Sequence, residues 1–347
     1  MNSRKQLAQH PCGWALAIAL LLIAACASPC AHGAAFAKGA DVSWLSQLQT
    51  LGYSYVSNGT TMNALQILKK DGVNTIRLRT FVNPTISSTS LGVGDCNQAG
   101  TIAEAKLAAS MGFQIDIDFH YSDTWADPSH QTIPAAWAGE TYTQLETSVY
   151  YYTYDFMVAL KDAGVTPTWV EVGNEINSGL LWPTGSYTNF AQLTGLVNEG
   201  YYAVKNVSPS TQVVVHLATL SNLNDFEWFF DNFKANGGLW DVIGASYYDG
   251  PGTLSSITYN MKTLTARYDK PILICEIGHA SSDLSGSETD LSTAVAAAQA
   301  VPNGMGEGVI WWEPEAPDNA TTSYYSMGAV SVYSGKELQF TKTMNSY

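Results

Sequence analysis

Eight short runs rich in β-branched residues, each followed by a longer amphipathic stretch, constrain this chain more than any other feature. The runs fall at 36–43, 75–80, 113–119, 168–172, 212–216, 242–246, 271–275 and 308–311. Their spacing predicts strands separated by helices, with helical patterns at 62–71, 101–111, 147–162, 188–206, 222–236, 254–268 and 288–300. Several helical stretches close on a glycine, as at Asp71-Gly72, Met111-Gly112 and Ala163-Gly164, where a helix needs a left-handed exit. Strands alternating with helices throughout, with no linker or repeat to divide residues 34–347, imply an α/β fold, a single (β/α)8 TIM barrel.

Such a barrel gathers the carboxyl ends of its strands on one face. The residues there are Asp41, Arg77, Arg79, Asp118, His120, Asn174, Glu175, Tyr247, Tyr248, Glu276, Trp311, Trp312 and Glu313. Glu175 and Glu276 are the two glutamates that each end an apolar strand, the fourth and the seventh, on roughly opposite sides of the ring. Glycoside cleavage requires two carboxylates facing each other across the scissile bond. Glu175 can also be read as an acid at a helix N-terminus, and Glu276 as a solvated loop acid, although the apolar 271–275 flank disfavours full solvation.

Arg77 and Arg79 alternate with apolar residues, so they share a face. Arg79, nearer the strand end, is expected to keep a nucleophilic glutamate ionised. Arg77 is expected to sit deeper and to neutralise Glu171, a third acid that points inward. His120 is expected to orient a glutamate or to line a sugar subsite, with Asp123 close by. Trp125, Trp182, Tyr247, Tyr248 and Trp312 supply flat faces for pyranose rings, whereas Trp169, Trp228 and Trp240 are expected in the core.

With 16 lysines and arginines against 30 acids, the formal charge is −14, which argues against nucleic acid or another polyanion and favours a neutral polysaccharide partner. Residues 1–33 have the layout of an export signal: Arg4 and Lys5, an apolar run from Trp14 to Ala25, then small residues. The run is too short to span a membrane. Ile23-Ala24-Ala25-Cys26 also fits a lipoprotein cleavage site, so secreted and lipid-anchored forms both stay open. Cys96 and Cys275 are the only cysteines of the body and are expected unpaired. No transition-metal spacing is present, no cofactor is expected, and a monomer is the simplest assembly.

The segments Lys38-Gly39-Ala40-Asp41-Val42-Ser43, Ile76-Arg77-Leu78-Arg79, the run from Asp118 to Pro128, the run from Gly173 to Pro183, and Trp312-Glu313-Pro314 together resemble glycoside hydrolase family 53. That resemblance implies a clan A retaining endo-β-1,4-galactanase, with Glu175 as acid/base, Glu276 as nucleophile, and carboxyl groups about 5–5.5 Å apart. It implies supporting roles for Arg79, His120, Asn174, a tyrosine of the Tyr247-Tyr248 pair and Trp312. Calcium, bound by some bacterial members, finds no readable site among Asp283, Glu288, Asp290 and Asp318. Three departures bear on specificity: Asp249-Gly250-Pro251-Gly252 after the tyrosine pair, Glu315-Ala316 where a tryptophan is expected, and Ile277-Gly278-His279 after Glu276. They leave open a clan A hydrolase for another β-linked glycan, or a glycan-binding protein on a retired barrel.

Overall fold

A computed structural model describes residues 34–86, 91–248, 254–318 and 325–347. The expected export signal at 1–33 and the Asp249–Gly252 departure lie outside the described residues. Eight parallel strands close into a barrel: β1 (Ala37–Asp41), β2 (Thr75–Thr80), β3 (Gln114–Phe119), β4 (Trp169–Val172), β5 (Gln212–Leu217), β6 (Val242–Tyr247), β7 (Ile272–Ile277) and β8 (Gly306–Trp312). Each pairs with its neighbours in chain order, and β8 returns to β1. The expected barrel is therefore present.

Helices fill the gaps, and their starts are set by side-chain caps. The helix after β3 begins at Tyr142, earlier than its apolar period suggests, because the Gln144 side chain accepts from the Thr141 backbone N–H at 2.9 Å. The helix after β7 begins at Leu284 for a similar reason: Asp283 accepts from Gly286 N at 2.9 Å. Both caps supply partners for backbone N–H groups that a first helical turn leaves free. After β8 an eighth α-helix is replaced by a hairpin, Val330–Ser334 and Glu337–Phe340, and a 3-10 turn at Lys342–Asn345. The hairpin joins Ser54–Ser57 and Thr60–Met62 in a four-stranded side sheet, which the strand pattern does not anticipate.

The main apolar core lies between barrel and helices. Inside the barrel, Ala37, Trp169, Val214, Val242, Leu273, Cys275 and Ile310 form a second cluster. Trp169 Nε1 and Gln212 Nε2 both donate to Glu307, at 2.6 and 2.8 Å, closing the amino-terminal end. Buried apolar packing there leaves the carboxyl-terminal half of the barrel as the place for polar groups. Cys96 and Cys275 are free and buried, and Trp169 and Trp240 are core residues. Trp228 is not: it is 47% exposed, its edge against Tyr187 and Phe190 on the outer surface. No helix among the described residues is long and apolar enough to cross a membrane.

Candidate active site

Two local departures from regular strand geometry aim the glutamates. After β4 the chain turns sharply at Gly173, whose φ of +90° favours glycine and where a Cβ would stand 2.6 Å from Ile176 Cγ2. Glu175 follows with φ +47°, a left-handed residue ahead of a single 3-10 turn, Ile176–Ser178. A non-glycine residue in this region is held there by its surroundings, a pattern common at functional sites. In β7 the register slips: Ala245 pairs with Ile274, but Ser246 pairs with Glu276. Alternation would send Cys275 and Glu276 to opposite faces. The bulge lets Cys275 join the interior cluster while Glu276 turns into the mouth.

Arg77 organises the acids beneath the mouth. Its Nε and Nη2 donate to the two oxygens of Glu171 at 2.5 and 3.0 Å, its Nη1 to Asp41 at 2.7 Å, and Nη2 to Asn174 Oδ1 at 3.1 Å. Its Nη1 also lies 2.9 Å from Glu276 Oε1, and Nη2 lies 3.1 Å from Asp118 Oδ2. The expected Arg77–Glu171 pairing is thus present. The partner expected for Glu276 is corrected: Arg77 touches it, while Arg79 pairs with Glu313 and lies 3.6 Å from Asp41. An arginine head stands about 6 Å beyond its Cα, or roughly two residues of strand rise. The deeper arginine therefore reaches the rim, and the upper one overshoots it.

Arg79 instead lies in an aromatic cage, its guanidinium carbon 5.1 Å from the Trp44 ring, 4.6 Å from Trp125 and 5.9 Å from Trp312. Glu276 is 7% exposed, and its second oxygen accepts from Tyr248 Oη at 2.9 Å. Tyr247, the other member of the pair, faces the core and is 3% exposed; alternation along the strand end allows one of the two to reach the mouth.

The surroundings of Glu175 favour its protonated form. Burial, then the neighbouring Glu276, pushes Glu175 up to about 7, against weaker opposition from His216, Ser246 and Arg77. Burial opposes ionisation of Glu171 too, but there Arg77 and His216 win and hold it well below the ordinary carboxylate range. Asp116, buried beside Glu171, is pushed well above that range by desolvation and by Glu171 itself. Glu315 is likewise pushed up, by burial and by Glu313.

The remaining expected residues divide into those at the mouth and those that brace it. His120 touches neither glutamate. Ala126 N–H donates to its Nδ1 at 2.9 Å, which leaves the ring proton on Nε2, 3.0 Å from Asp118 Oδ2. His120 thereby holds Asp118 against Arg77. Asp123 spends its oxygens on backbone, accepting from Asn83 N at 2.9 Å and Ala135 N at 2.8 Å. Asn174 accepts from Arg77, and its Nδ2 donates to Ala126 O at 2.8 Å. Trp125 and Trp312 are half-buried, pack against each other and Trp44, and keep partly open faces. Trp182 is tied back by its Nε1 to Ser178 O at 2.9 Å. Two residues escaped the sequence reading: His216, inward on β5, and Ser246, inward on β6, which meet at 2.8 Å.

Metal ligation is not supported by these contacts. Glu171, His216 and Cys275 come within 4.8 Å of one another, yet both Glu171 oxygens accept from Arg77. Calcium requires a cage of oxygens; Asp290 and Asp283 instead bracket His279, at 2.7 and 3.4 Å, and Asp318 accepts from Ser281 at 2.5 Å.

Two carboxyl groups gathered at an aromatic-lined barrel mouth are the arrangement that glycosidic-bond cleavage uses, which points to the glycoside hydrolases. The chain belongs to glycosyl hydrolase family 53, whose model matches residues 37–346. It is 36% identical over 249 residues to an arabinogalactan endo-β-1,4-galactanase of Thermothelomyces thermophilus, covering 69% of this chain and 73% of that one. Against the arabinogalactan endo-β-1,4-galactanase A of Aspergillus niger it is 33% identical over 310 residues, 82% of this chain and 86% of the other. Among solved structures, a fungal β-1,4-galactanase superposes with a TM-score of 0.80 at 30% identity, covering 90% of this chain and 99% of that one. The catalytic domain of a family 53 enzyme from Ignisphaera aggregans gives 0.74 at 34%, covering 80% and 85%.

Proposed function

We propose that the protein is an exported endo-acting galactanase that hydrolyses internal β-1,4 linkages of galactan and type I arabinogalactan with retention, by double displacement. The observation that carries this reading is the contrast between Glu175, pushed up to about 7, and Glu276, gripped on one oxygen by Arg77 and on the other by Tyr248. Glu276 attacks the anomeric carbon as the glycosidic C–O bond breaks, and Glu175 gives its proton to the departing oxygen. Glu175 then takes a proton from water, whose oxygen displaces Glu276 and restores the free carboxylate.

The named relatives support galactan as the substrate class, and the formal charge of −14 suits a neutral polymer. The Glu315-Ala316 departure gives no reason to prefer another glycan, because both residues are fully buried and Ala316 packs with Trp44, Leu48 and Leu91. Glu276→Gln should abolish release of oligosaccharides from β-1,4-galactan, and wild-type-like turnover in that variant ends the assignment. Products from the wild type should keep the β-anomer at first release, read by proton NMR, with no release from an arabinogalactan of other linkage. Export rests on residues 1–33; the mass of the mature N-terminus decides between cleavage and lipidation at Cys26.

A further inference from the structure

The helix after β3 (Tyr142–Asp162) carries Tyr150-Tyr151-Tyr152-Thr153-Tyr154, a run that the double displacement does not use. The core accounts for two of these positions: Tyr152 Oη donates to Phe81 O at 2.9 Å, and Thr153 is buried against Tyr121. The other three tyrosines keep open surface. Tyrosine is a weaker helix former than alanine or glutamate, so the helix itself does not call for them. Tyr150 and Tyr154 stack at 5.8 Å with an interplanar angle of 13°, and Tyr151, 58% exposed, meets Tyr150 edge-on at 5.2 Å. Tyr150 is held from the helix after β4 (Phe190–Val207), whose Asn206 Nδ2 donates to its Oη at 2.9 Å.

The last turn of that second helix leads into a pocket. Its volume is about 220 Å³, and it lies between Met157 and Lys161 of the first helix, Pro167, and Val207, Ser208 and Ser210. On the first helix Tyr150, Tyr154, Met157 and Lys161 recur at helical spacing and form one stripe. Tyrosine ladder and pocket therefore share one seam. Its walls are braced, since Thr211 Oγ1 lies 2.8 Å from both Pro167 O and Ser208 Oγ, and Lys205 Nζ donates to Thr211 O at 2.6 Å. Pro167 precedes β4 and Glu175 follows it, so the pocket sits toward the barrel end opposite the mouth.

We propose that this seam is a second, non-catalytic binding site for the neutral polysaccharide, separate from the cleft that cuts it. Open tyrosine faces take the apolar faces of sugar rings, and tyrosine hydroxyls bond sugar hydroxyls. The pocket is smaller than the roughly 300–1,000 Å³ that encloses a whole ligand, so it suits one ring of a longer chain. Lys161 is the only ionisable residue lining it, and its ammonium offers three donors to hydroxyl oxygens. In a chain of formal charge −14, a pocket wall free of carboxylates suits an uncharged, hydroxyl-rich polymer. Polymer held at the seam raises its own concentration near the mouth.

Which polymer the seam takes rests on the galactanase reading, and the experiment keeps the two apart. Tyr151→Ala/Tyr154→Ala removes the open ring faces, and alanine strengthens rather than weakens a helix. In a Glu276→Gln background, which leaves the polymer whole, retardation by β-1,4-galactan in affinity electrophoresis should weaken about five- to tenfold. Lys161→Ala should weaken it about two- to threefold. With Glu276 intact, the ladder variant should lose about threefold in kcat/KM on long galactan and stay within about twofold on galactotetraose, which is too short to engage both sites. Unchanged retardation, or an equal loss on polymer and tetraose, overturns the site while leaving galactan cleavage in place. Stronger retardation by polygalacturonate than by galactan also overturns it, as does a dimer in sedimentation that the ladder variant abolishes. If the wild type leaves β-1,4-galactan intact, the galactanase reading falls instead, and the same comparison on the β-glycan that it does cleave decides the seam.

Discussion

Replacing Arg77 with methionine removes the charge that four carboxylates share while keeping most of the volume. Arg77 lies 2.7 Å from Asp41, 3.1 Å from Asp118, 2.5 Å from Glu171 and 2.9 Å from Glu276, and its side chain is 0% exposed. Breaking one buried ion pair costs about 3–5 kcal/mol. The variant can escape part of that cost if Glu171 takes up a proton. For a carboxyl with an ordinary value of 4.5, protonation at about pH 7 costs roughly 3 kcal/mol, and at about pH 5 under 1 kcal/mol.

Both routes give a deficit of about 3–5 kcal/mol at neutral pH. The sign of its pH dependence follows from Glu171. In the native protein this carboxyl is held below its ordinary value, so its contribution is complete above about pH 5 and lost only in acid. In Arg77→Met, burial beside Asp116 should raise Glu171 above its unfolded value, so its contribution is present at low pH and lost as pH rises. The deficit relative to wild type should therefore shrink by about 2–3 kcal/mol from pH 7 to pH 5. Urea denaturation of both proteins at the two pH values measures it. A deficit equal at both values means that no proton is taken up, and refutes the reasoning.

Two further outcomes follow from the same geometry. Gly173→Ala places a methyl 2.6 Å from Ile176 Cγ2 at φ +90°; it should cost about 1–3 kcal/mol and lower kcat more than it raises KM, because Glu175 is displaced. Unchanged kcat with intact folding contradicts that role. Glu175 and Glu313 are both pushed up to about 7, by burial first and then by Glu276 and, for Glu313, by Asp41 against the pull of Arg79. Their folded values exceed their unfolded ones, so this part of the stability is present below about pH 4.5 and lost as pH rises through about 7. Tm should fall by about 5 °C between pH 5 and pH 8, and calorimetry showing a flat or rising Tm would sink the assignment.

Most of the fold was legible because a closed parallel barrel repeats one simple unit. Most strands show as β-branched or apolar runs, and several helices end where a glycine marks the exit, as at Gly72, Gly112 and Gly164. Glu175 and Glu276, the proposed catalytic pair, stand out in the sequence since both end such runs. What the pattern hides is whatever depends on side-chain reach or on a single irregular residue. Alternation alone puts Cys275 and Glu276 on opposite faces, and only the slip between Ala245 and Ser246 reconciles them with one interior. Proximity to the strand end favours Arg79 over Arg77, yet length of side chain reverses that order. His216 is a lone histidine on an apolar strand, a pattern that in sequence marks a core residue as readily as a functional one; its inward neighbours come from strands far away in the chain.

Charge balance supports giving the proposed acid role to Glu175 rather than to another of the buried carboxyls. Asp41, Asp116, Asp118, Glu171, Glu276, Glu313 and Glu315 crowd the same barrel end, all at most 7% exposed. Two arginines answer them. Arg77 is committed to Asp41, Asp118, Glu171 and Glu276, and Arg79 to Glu313 and Asp41. Burial and a neighbouring acid push both Asp116 and Glu315 upward, so each holds its proton more tightly than an ordinary carboxyl. No salt bridge among the described residues joins Glu175. It is the acid left without a cation at the mouth, so the surplus falls on it as a retained proton that a leaving oxygen can take. In the double displacement proposed above, Glu276 would become neutral in the covalent ester, and the second-largest cause of that retention would disappear. Glu175 would then fall toward ordinary carboxylate behaviour at the step where the proposed mechanism calls on it as a base. On this proposal, the same excess of acids that makes this barrel end costly to fold would supply both protonation states of one residue.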